Sequence, residues 1–494
     1  MTGQEQATTV GQLPTPTDRD SRVPAVLTRL VWLLCLASLG VLAVHLAGGG
    51  RWELPGLAVD GLTVVMWLAV TFFSGIVHSY SRRYMAGNRT IDRFFARTFA
   101  FTLVVMVLVA ADSFLLFGLA WLAMGLVMAG LIGHVEGWKQ ARTAASLARR
   151  YFLASSALVG VALATLWWQT GATTISGVAE VVGPTASTAV LVAAGALVLA
   201  AMVQSALVPF HTWLLSSMTA PTPASALMHA GFVNAGGVLL VRFGPVVTVE
   251  TTVMLAIVLV GALSALLGKL LKSVQVDVKS RLGCSTVGQM SFMLLQVGLG
   301  YFGAAITHLV LHGFYKAYLF LGSGEEVEHT SPEAGHGSAR TDSVGLAVAA
   351  VSAVAGGVLF AALTGKGTSF DSGLLLTGLV VLTTLHATRS ALAHTSLPST
   401  YRYGAVPLVF LPAIAVYASV YVGIEHVMAD LPLVAAPTEL TAVHGVVAAA
   451  FLVVYLAIET GVHKSSDRLY VALLNAAQPS SDTLLTSTED YNEY

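Results

Sequence analysis

Long apolar runs, each of a length that can cross a bilayer as a helix, dominate this chain. A spanning helix needs about 20 predominantly apolar residues, and about fourteen runs reach that length. Only 10% of the residues are charged, against about 25% in soluble domains. We therefore predict an all-α integral membrane protein with about 14 transmembrane helices. The cores of the runs are 25–47, 57–80, 94–111, 112–133, 150–168, 187–210, 221–243, 251–272, 283–299, 301–323, 343–366, 372–395, 404–424 and 440–460.

The lysines and arginines fall on one set of connecting loops. Loops 81–93, 134–149 and 269–281 are rich in Arg, Lys or both, whereas 169–186 and 425–439 contain neither. Because Lys and Arg collect on cytoplasmic loops, we predict a cell inner-membrane protein with both termini in the cytoplasm. The predicted organisation is a disordered cytoplasmic tail at 1–24, a transmembrane domain at 25–465 and a cytoplasmic tail at 466–494. The net charge of −1 argues against a nucleic-acid partner.

One apolar run, 304–324, carries three ionisable groups at helical spacing. His308, His312 and Lys316 stand four residues apart, so in a helix they form a single stripe about 12 Å long. An ionisable side chain near the bilayer centre costs at least about 2.5 kcal/mol and normally faces the protein interior or a water-filled path. The stripe predicts a proton or ion relay. The alternative is a polar seam between helices whose hydrogen bonds are satisfied.

Two runs contain helix-breaking residues. Pro209 follows Gln204 and precedes His211, while Gly365 and Gly367 flank Lys366. Paired interruptions in the two halves of a membrane chain are typical of inverted structural repeats with an ion site at each break. The alternative is that Pro209 and Gly365 mark helix ends.

The remaining ionisable residues in apolar surroundings have ready structural explanations. His229 can bond a backbone carbonyl or join the relay, and Lys279 can reach the aqueous surface or join the relay. We expect Asp60 and Asp112 to cap helices or pair with arginines.

Three further groups complete the survey. His386, Arg389 and His394 form a second polar stripe, which we interpret as a possible exit path. The acidic loop at 325–336 lacks metal-ligand spacing and suits a solvated loop or a partner-docking surface. The two cysteines, Cys35 and Cys284, are expected to pack in the apolar interior, with no disulfide and no zinc site.

Several motifs in one order resemble the proton-conducting antiporter-like subunits of complex I and of multisubunit sodium/proton antiporters. The resemblance runs from about Asp60 to Lys366. It rests on Val59 to Leu62, Tyr80 to Phe95, Gln204 to Leu214, Ala220 to Ala230, Val274 to Met290, and the His308, His312 and Lys316 helix. It implies an antiporter-like fold with inverted repeats and broken helices. The implied ion-translocation residues are His308, His312, Lys316, Lys279, His229, Lys366, Gln204 and His211.

This sequence departs from the family pattern at the charged pair of the first half. Leu122 follows Trp121 where energy-converting members have a glutamate, and Gln204 stands in place of a lysine. The first half therefore cannot use the family's glutamate–lysine charge switch. Lys366 resembles the broken-helix lysine of the second half.

Within the family, the chain is most similar to the membrane subunit of DAB-type inorganic carbon transporters. The segments carrying this similarity are 228–237, 287–296 and 315–317. The resemblance implies a cytoplasmic partner similar to a β-carbonic anhydrase, which carries zinc, and an ion flow of H⁺ or Na⁺ that energises CO₂ or bicarbonate uptake. No cofactor is expected in this chain itself, and its only other partner is membrane lipid.

Two alternatives remain. One is a subunit of a cation/proton antiporter or of a complex I-type proton pump. The other is a membrane anchor without conductance. In each case the chain is expected to be a non-enzyme, because it has no nucleophile–base pair, zinc-ligand set or nucleotide-binding loop.

Overall fold

The chain is almost entirely helical, as predicted. The computed structural model describes residues 21–182, 187–323, 343–394 and 399–483. Most of the predicted tail at 1–24 and the whole acidic loop at 325–336 therefore lie outside the described residues. The long helices are α1 Val23–Val44, α2 Gly61–Tyr84, α3 Ile91–Ala110, α4 Phe114–Ile132, α5 Lys139–Thr170, α7 Thr188–Gln204, α12 Thr251–Ser273, α13 Val278–Gly298, α14 Phe302–Leu321, α15 Ser343–Thr364, α16 Gly373–His394, α17 Ser399–Val427 and α18 Ala442–Thr460.

Short elements connect these helices. A hairpin of β1 and β2 precedes α2 and pairs Trp52 with Val59. The short elements are β1 Trp52–Leu54, β2 Leu57–Val59, α6 Ile175–Val181, α8 Thr212–Ser216, α9 Thr222–Ala230, α10 Ala235–Arg242, α11 Gly244–Val247, α19 Val462–Ser465 and α20 Asp467–Ala476.

Eleven helices within the described ranges are long and apolar enough to cross a membrane. One of them, Thr222–Arg242, combines α9 and α10. The chain is thus a multi-pass membrane protein, while the predicted count of about fourteen spans is not confirmed. The other three predicted spans correspond to α7, which has 17 residues, and to α13 and α14, which carry polar side chains in their interiors.

Successive long helices alternate in direction, which gives the bundle two distinct ends. We call the end that carries Arg82, Arg83, Lys139, Lys272 and Lys279 the basic end, and the other the opposite end. The β-hairpin lies at the opposite end, where the Gly61 amide hydrogen-bonds the Asp430 carboxylate at 3.0 Å. The loops that are rich in lysine and arginine in the sequence thus lie together at one end of the folded bundle.

The first predicted interruption is a true break. Helix α7 ends at Gln204, five residues before Pro209, and the short α8 resumes at Thr212. A further break separates α9 from α10, where Gly231 departs from helical geometry. No proline marks this second break, so it could not be predicted from the sequence.

The second predicted interruption is a helix end. Helix α15 stops at Thr364, and Gly365 and Gly367 have positive φ angles of 70° and 78°, which suit glycine. Lys366 consequently lies in the connection between α15 and α16. The expectation that Lys366 occupies a broken helix is therefore wrong.

Helices α12 and α13 approach each other closely because glycine lines their contact. A β-carbon on Gly268 would lie 2.5 Å from the Gly288 backbone nitrogen, and one on Gly261 would lie 2.7 Å from the Leu295 nitrogen. Small residues allow two membrane helices to pack backbone to backbone. This contact fixes the position of α13, whose other neighbour is α14, the helix that carries the predicted relay.

Part of the predicted C-terminal tail is folded against the bundle. The backbone carbonyl of Ala476 lies 2.9 Å from His211 Nε2, and the amide of Ser480 donates to Ser216 Oγ at 3.0 Å. Leu473 packs with Leu215, Leu271 and Cys284. Residues 467–483 thus cover α8 at the basic end, and 484–494 lie outside the described residues.

Candidate functional site

The predicted stripe lies on one buried face of α14. The rings of His308 and His312 stack with their centroids 5.9 Å apart, and Lys316 is fully buried one turn further toward the basic end. Gly313 lets this face approach its neighbours, since a β-carbon there would meet the Phe73 ring at 2.6 Å and the Ala230 carbonyl at 3.1 Å. The three ionisable groups therefore face protein.

A hydrogen-bonded chain joins Lys316 to His229 across α13. Lys316 Nζ donates to the Leu282 carbonyl at 2.8 Å, and the Thr286 hydroxyl donates to the same oxygen at 2.9 Å. His229 Nδ1 lies 2.9 Å from Thr286 Oγ1. The expectation that His229 bonds a backbone carbonyl is therefore wrong, because its partner is a hydroxyl group.

The three histidines share one feature. His229, His308 and His312 each have a buried Nε2 atom that makes no hydrogen bond with any described residue, as do ring nitrogens of His78, His134 and His211 elsewhere in the bundle. A buried polar group without a partner costs about 1–3 kcal/mol, so native structures rarely keep several of them together without a functional reason. This argues against a polar seam whose hydrogen bonds are satisfied and favours a path for an ion or a proton.

Lys279 continues the line at the basic end. Its Nζ lies 3.4 Å from the carbonyl oxygens of both Met218 and Ala220, the residues that precede α9. The ammonium group thus points at the non-helical connection between α8 and α9 and satisfies carbonyl groups there. This position suits an entry to the buried stripe better than a lysine extended toward water.

Lys366 lies at the opposite end, beside the start of α14. Its ammonium pairs with Glu425 at 3.4 Å and lies over the rings of Tyr301 and Tyr421 at 5.2 and 5.7 Å. Tyr421 also donates to Glu425 at 2.7 Å. We call Lys366, Glu425, Tyr301 and Tyr421 the outer cluster. Sequence reasoning missed three of these residues, although Glu425 is an isolated carboxylate directly after an apolar run.

Gln296 is a further buried polar residue between the stripe and the outer cluster. It lies beside Tyr417, and neither atom of its amide meets the distance and angle of a hydrogen bond. Phe292, one turn toward the basic end, contacts the His308 ring at 5.6 Å. A glutamine inside an apolar run is uncommon, so Gln296 could have been singled out from the sequence as a candidate polar residue of the interior.

Gln204 and His211 do not join the stripe through any contact in the described residues. Gln204 is buried at the end of α7, and its Nε2 has no partner. His211 contacts the C-terminal segment instead. Both residues belong to the break between α7 and α8, which is a separate region of the bundle.

An apolar cavity lies beside Trp121, the residue that precedes Leu122. It has a volume of about 40 Å³ and, apart from Asn234, its lining is apolar, including Phe101, Phe117, Trp121, Met124 and Leu309. The indole of Trp121 donates to Ser155 at 3.2 Å. Nothing in this lining can carry a charge.

The two isolated aspartates have the structural roles expected of them. Asp60 caps α2 by accepting from the Thr63 amide at 3.0 Å and forms a buried ion pair with Arg242. Asp112 accepts from the amide and hydroxyl of Ser176 at 2.9 and 2.6 Å. Within the described part of the chain, no group of His, Cys, Asp and Glu residues could hold a metal ion.

Two family models match the chain. Residues 111–336 match the model described as "NADH:quinone oxidoreductase/Mrp antiporter, TM", and residues 55–95 match "NADH-Ubiquinone oxidoreductase (complex I), chain 5 N-terminus". Among solved structures, the Mrp complex from Dietzia sp. DQ12-45-1b is similar with a TM-score of 0.56 and 21% identity, covering 92% of this chain and 50% of that chain. That likeness establishes an antiporter-like fold.

The curated relatives point to the same family. The chain is 41% identical over 283 residues to the "Probable inorganic carbon transporter subunit DabB1" of Halothiobacillus neapolitanus, covering 55% of this chain and 50% of the relative. It is 39% identical over 276 residues to "NADH-quinone oxidoreductase subunit L" of Mycobacterium tuberculosis, covering 54% and 43%. The chain thus spans about half the length of these relatives. Through residues 55–95 and 111–336, it matches models of the antiporter-like membrane subunits of complex I and Mrp antiporters, and it is similar to DabB-type inorganic carbon transporter subunits.

Proposed function

We propose that this chain is the ion-conducting membrane subunit of an energy-coupled inorganic carbon uptake complex. The observation that carries the proposal is a line of bases. It runs along α14 from the half-buried His308 to the buried His312 and Lys316, and onward to the buried His229 on α9. The outer cluster and Lys279 supply groups at its two ends. The family supports conduction, and the DabB-type relatives support inorganic carbon as the substrate.

The chemistry of the stripe favours H⁺ over Na⁺ as the coupling ion. Its titratable side chains are imidazoles and an amine, which take up and release protons. Sodium, a hard cation, prefers oxygen ligands, and the carboxylate of Glu425 beside the start of α14 is already paired with Lys366. We therefore infer that protons move along the stripe.

We further propose that the carbon chemistry takes place on a cytoplasmic, zinc-binding subunit similar to a β-carbonic anhydrase, and that this chain is not an enzyme. Proton flow would drive that partner's reaction in one direction. One pH unit is worth about 1.4 kcal/mol per proton, so a few protons could sustain a bicarbonate gradient of tenfold or more.

A cation/proton antiporter or a complex I-type pump subunit is the second candidate. The similarity to NADH-quinone oxidoreductase subunit L favours it. The apolar cavity at Trp121 and the residue Gln204 count against it, because the first half lacks the charged pair that such pumps use.

The inner membrane and cytoplasmic termini are part of the proposal. They follow from the basic end, since lysine and arginine collect on the cytoplasmic side. Reporter domains fused at Tyr494 and inserted in 425–439 are expected to report opposite sides of the membrane. Equal signals from the two sites would contradict this orientation.

The function is tested in a strain that needs this chain for growth at ambient CO₂. The variants Lys316→Ala and His312→Ala should fail to support growth, while their amount in the membrane stays near that of the unmodified chain. Leu309→Met on the same helix serves as the control, because it conserves volume. An uncoupler should abolish inorganic carbon accumulation. Accumulation that persists after the proton and sodium gradients are both dissipated would refute the proposal.

A further inference from the structure

A second polar network lies at the basic end between α12, α16 and α18. Lys269 Nζ is 3.0 Å from His386 Nε2, and His386 Nδ1 is 2.8 Å from a Glu459 oxygen. Arg389 contacts the other oxygen of Glu459 at 3.2 Å and the Tyr455 hydroxyl at 3.3 Å. Three helices thus each contribute a member to one continuous chain of ionisable groups.

The network has the arrangement of a proton relay. An ammonium group can only donate, so His386 Nε2 is the acceptor toward Lys269, and Nδ1 carries the hydrogen toward Glu459. The imidazole therefore stands between a donor and an acceptor. Arg389 holds the carboxylate from its other side, which keeps Glu459 in place for His386.

The network also has access to water and to the stripe. About 35% of the His386 side chain is exposed at the basic end. Lys272 follows Lys269 by one turn of α12, and its charge acts on both Lys269 and Lys316. Lys272 thus lies near both the network and the buried end of the stripe, where a connecting route would pass.

We propose that Lys269, His386 and Glu459 form a proton port, through which protons pass between the water at the basic end and Lys316. This inference rests on the proposed conduction of protons along the stripe. In one step, His386 Nδ1 gives its proton to the Glu459 carboxylate while Nε2 takes a proton from the Lys269 ammonium. The products are a neutral amine, the other imidazole tautomer and a carboxylic acid, and the acid then releases its proton to water.

The three residues of the port lie on α12, α16 and α18, whereas the stripe lies on α14. A substitution in the port should therefore slow proton exchange with the solution at the basic end without altering α14. Lys272 is the one described lysine that acts electrostatically on both regions. Lys272→Met should accordingly reduce proton flux as much as a port substitution does.

The test is proton flux into vesicles that hold the full-length chain, driven by a potassium diffusion potential and read with a pH-sensitive dye. His386→Ala is expected to reduce flux at least tenfold, and added imidazole should restore most of it. Glu136→Gln is the matched control, because the Glu136 side chain is exposed at the same end and its ion pairs are with Arg93 and Arg97, away from the network. Thermal unfolding should show His386→Ala folded, and His386→Gln provides a second, more conservative variant.

The outcomes separate the port from the proposed function. Loss of flux in His386→Ala with rescue by imidazole supports the port, since a structural role would not be repaired by a diffusible base. Normal flux in His386→Ala and His386→Gln, with flux abolished in Lys316→Ala, overturns the port alone. Loss of flux in folded His386→Ala that imidazole does not repair also overturns the relay role. Absence of proton flux through the unmodified chain overturns both proposals.

Discussion

The cavity at Trp121 and the stripe on α14 are adjacent regions built on opposite principles. Leu309, between His308 and His312 in sequence, lines the cavity, while the two histidines form the stripe. The cavity is apolar apart from Asn234 and matches the first half, in which the family's charged pair is missing. The stripe and the neighbouring His229 keep three histidine nitrogens without partners among the described residues.

The difference shows how a membrane bundle separates stability from conduction. Apolar packing around Trp121 stabilises the fold through dispersion contacts, and it excludes charge from the first half. The stripe lowers the free energy of unfolding, because buried nitrogens without partners are costly. In exchange, it places titratable groups in the interior of the bundle. On the proposed function, conduction depends on the stripe together with His229, and the cavity takes no part in it.

The largest expected effect comes from converting part of the stripe into cavity-like packing. His312→Leu should reduce proton flux by about 10²-fold or more, which is the scale of losing a proton-transfer group. Its thermal stability should stay equal or rise, because a buried nitrogen without a partner is removed. Flux and unfolding are measured on the same vesicle preparation, with Leu309→Met as control. Retained flux would erase the distinction between the two regions.

A substitution in the cavity lining should lower stability and leave proton flux unchanged. Trp121→Ala is expected to cost about 3–5 kcal/mol of unfolding free energy through the enlarged cavity, while flux per folded molecule stays unchanged. Trp168→Ala, with 79% of the residue exposed, is the control and should have little effect. A tenfold loss of flux in folded Trp121→Ala would show that the apolar region takes part in conduction.

A smaller effect is expected at the outer cluster. Glu425→Gln removes the charge that pairs with Lys366 and accepts from Tyr421. A hydrogen bond to a charged group is worth about 1.5–3 kcal/mol, so we expect flux to fall by about tenfold. Glu439→Gln, an exposed carboxylate at the same end, should leave flux unchanged. Equal flux in the two variants would remove the outer cluster from the path.

The smallest effect concerns stability at the basic end, outside both regions. Burial, followed by the nearby Arg97 and Arg93 guanidinium groups, lowers the pKa of His134 to about 4, and Thr90 lies 2.9 Å from its Nε2. The unfolded chain therefore binds more protons between about pH 6.5 and 4. Stability is fully present above that window and falls as the pH drops through it.

Thermal unfolding of the purified protein between pH 4 and pH 7.5 measures this dependence. His134→Gln should flatten the curve in the upper part of the window. Glu136 does not obscure the result there, because the hydrogen bond from Arg93 lowers the pKa of its carboxyl group. An unchanged slope in His134→Gln would assign the pH dependence to another group.

The long elements and the stripe could be predicted because each depends on local pattern. Apolar run length indicates spans, and spacing by four puts His308, His312 and Lys316 on one face. The line of lysine and arginine residues that defines the basic end was equally visible. The fold class and the family are both confirmed.

The rest depended on contacts between segments far apart in sequence. Lys366 pairs with Glu425, and His386 links Lys269 to Glu459, between segments that no local pattern brings together. The break at Gly231 was missed because it carries no proline. Lys366 was placed in a broken helix because two flanking glycines suit a break and a helix end equally well.

The glycine contact between α12 and α13 has a mechanical consequence. Backbones in direct contact at Gly261, Gly268 and Gly298 leave almost no side chains between them that could change rotamer. The two helices therefore form one rigid unit, with Lys269 and Lys272 on α12 and Lys279 and Thr286 on α13. A conformational change of the bundle would have to bend or slide the other helices around this unit. The spacing of these four groups would stay constant while their surroundings move.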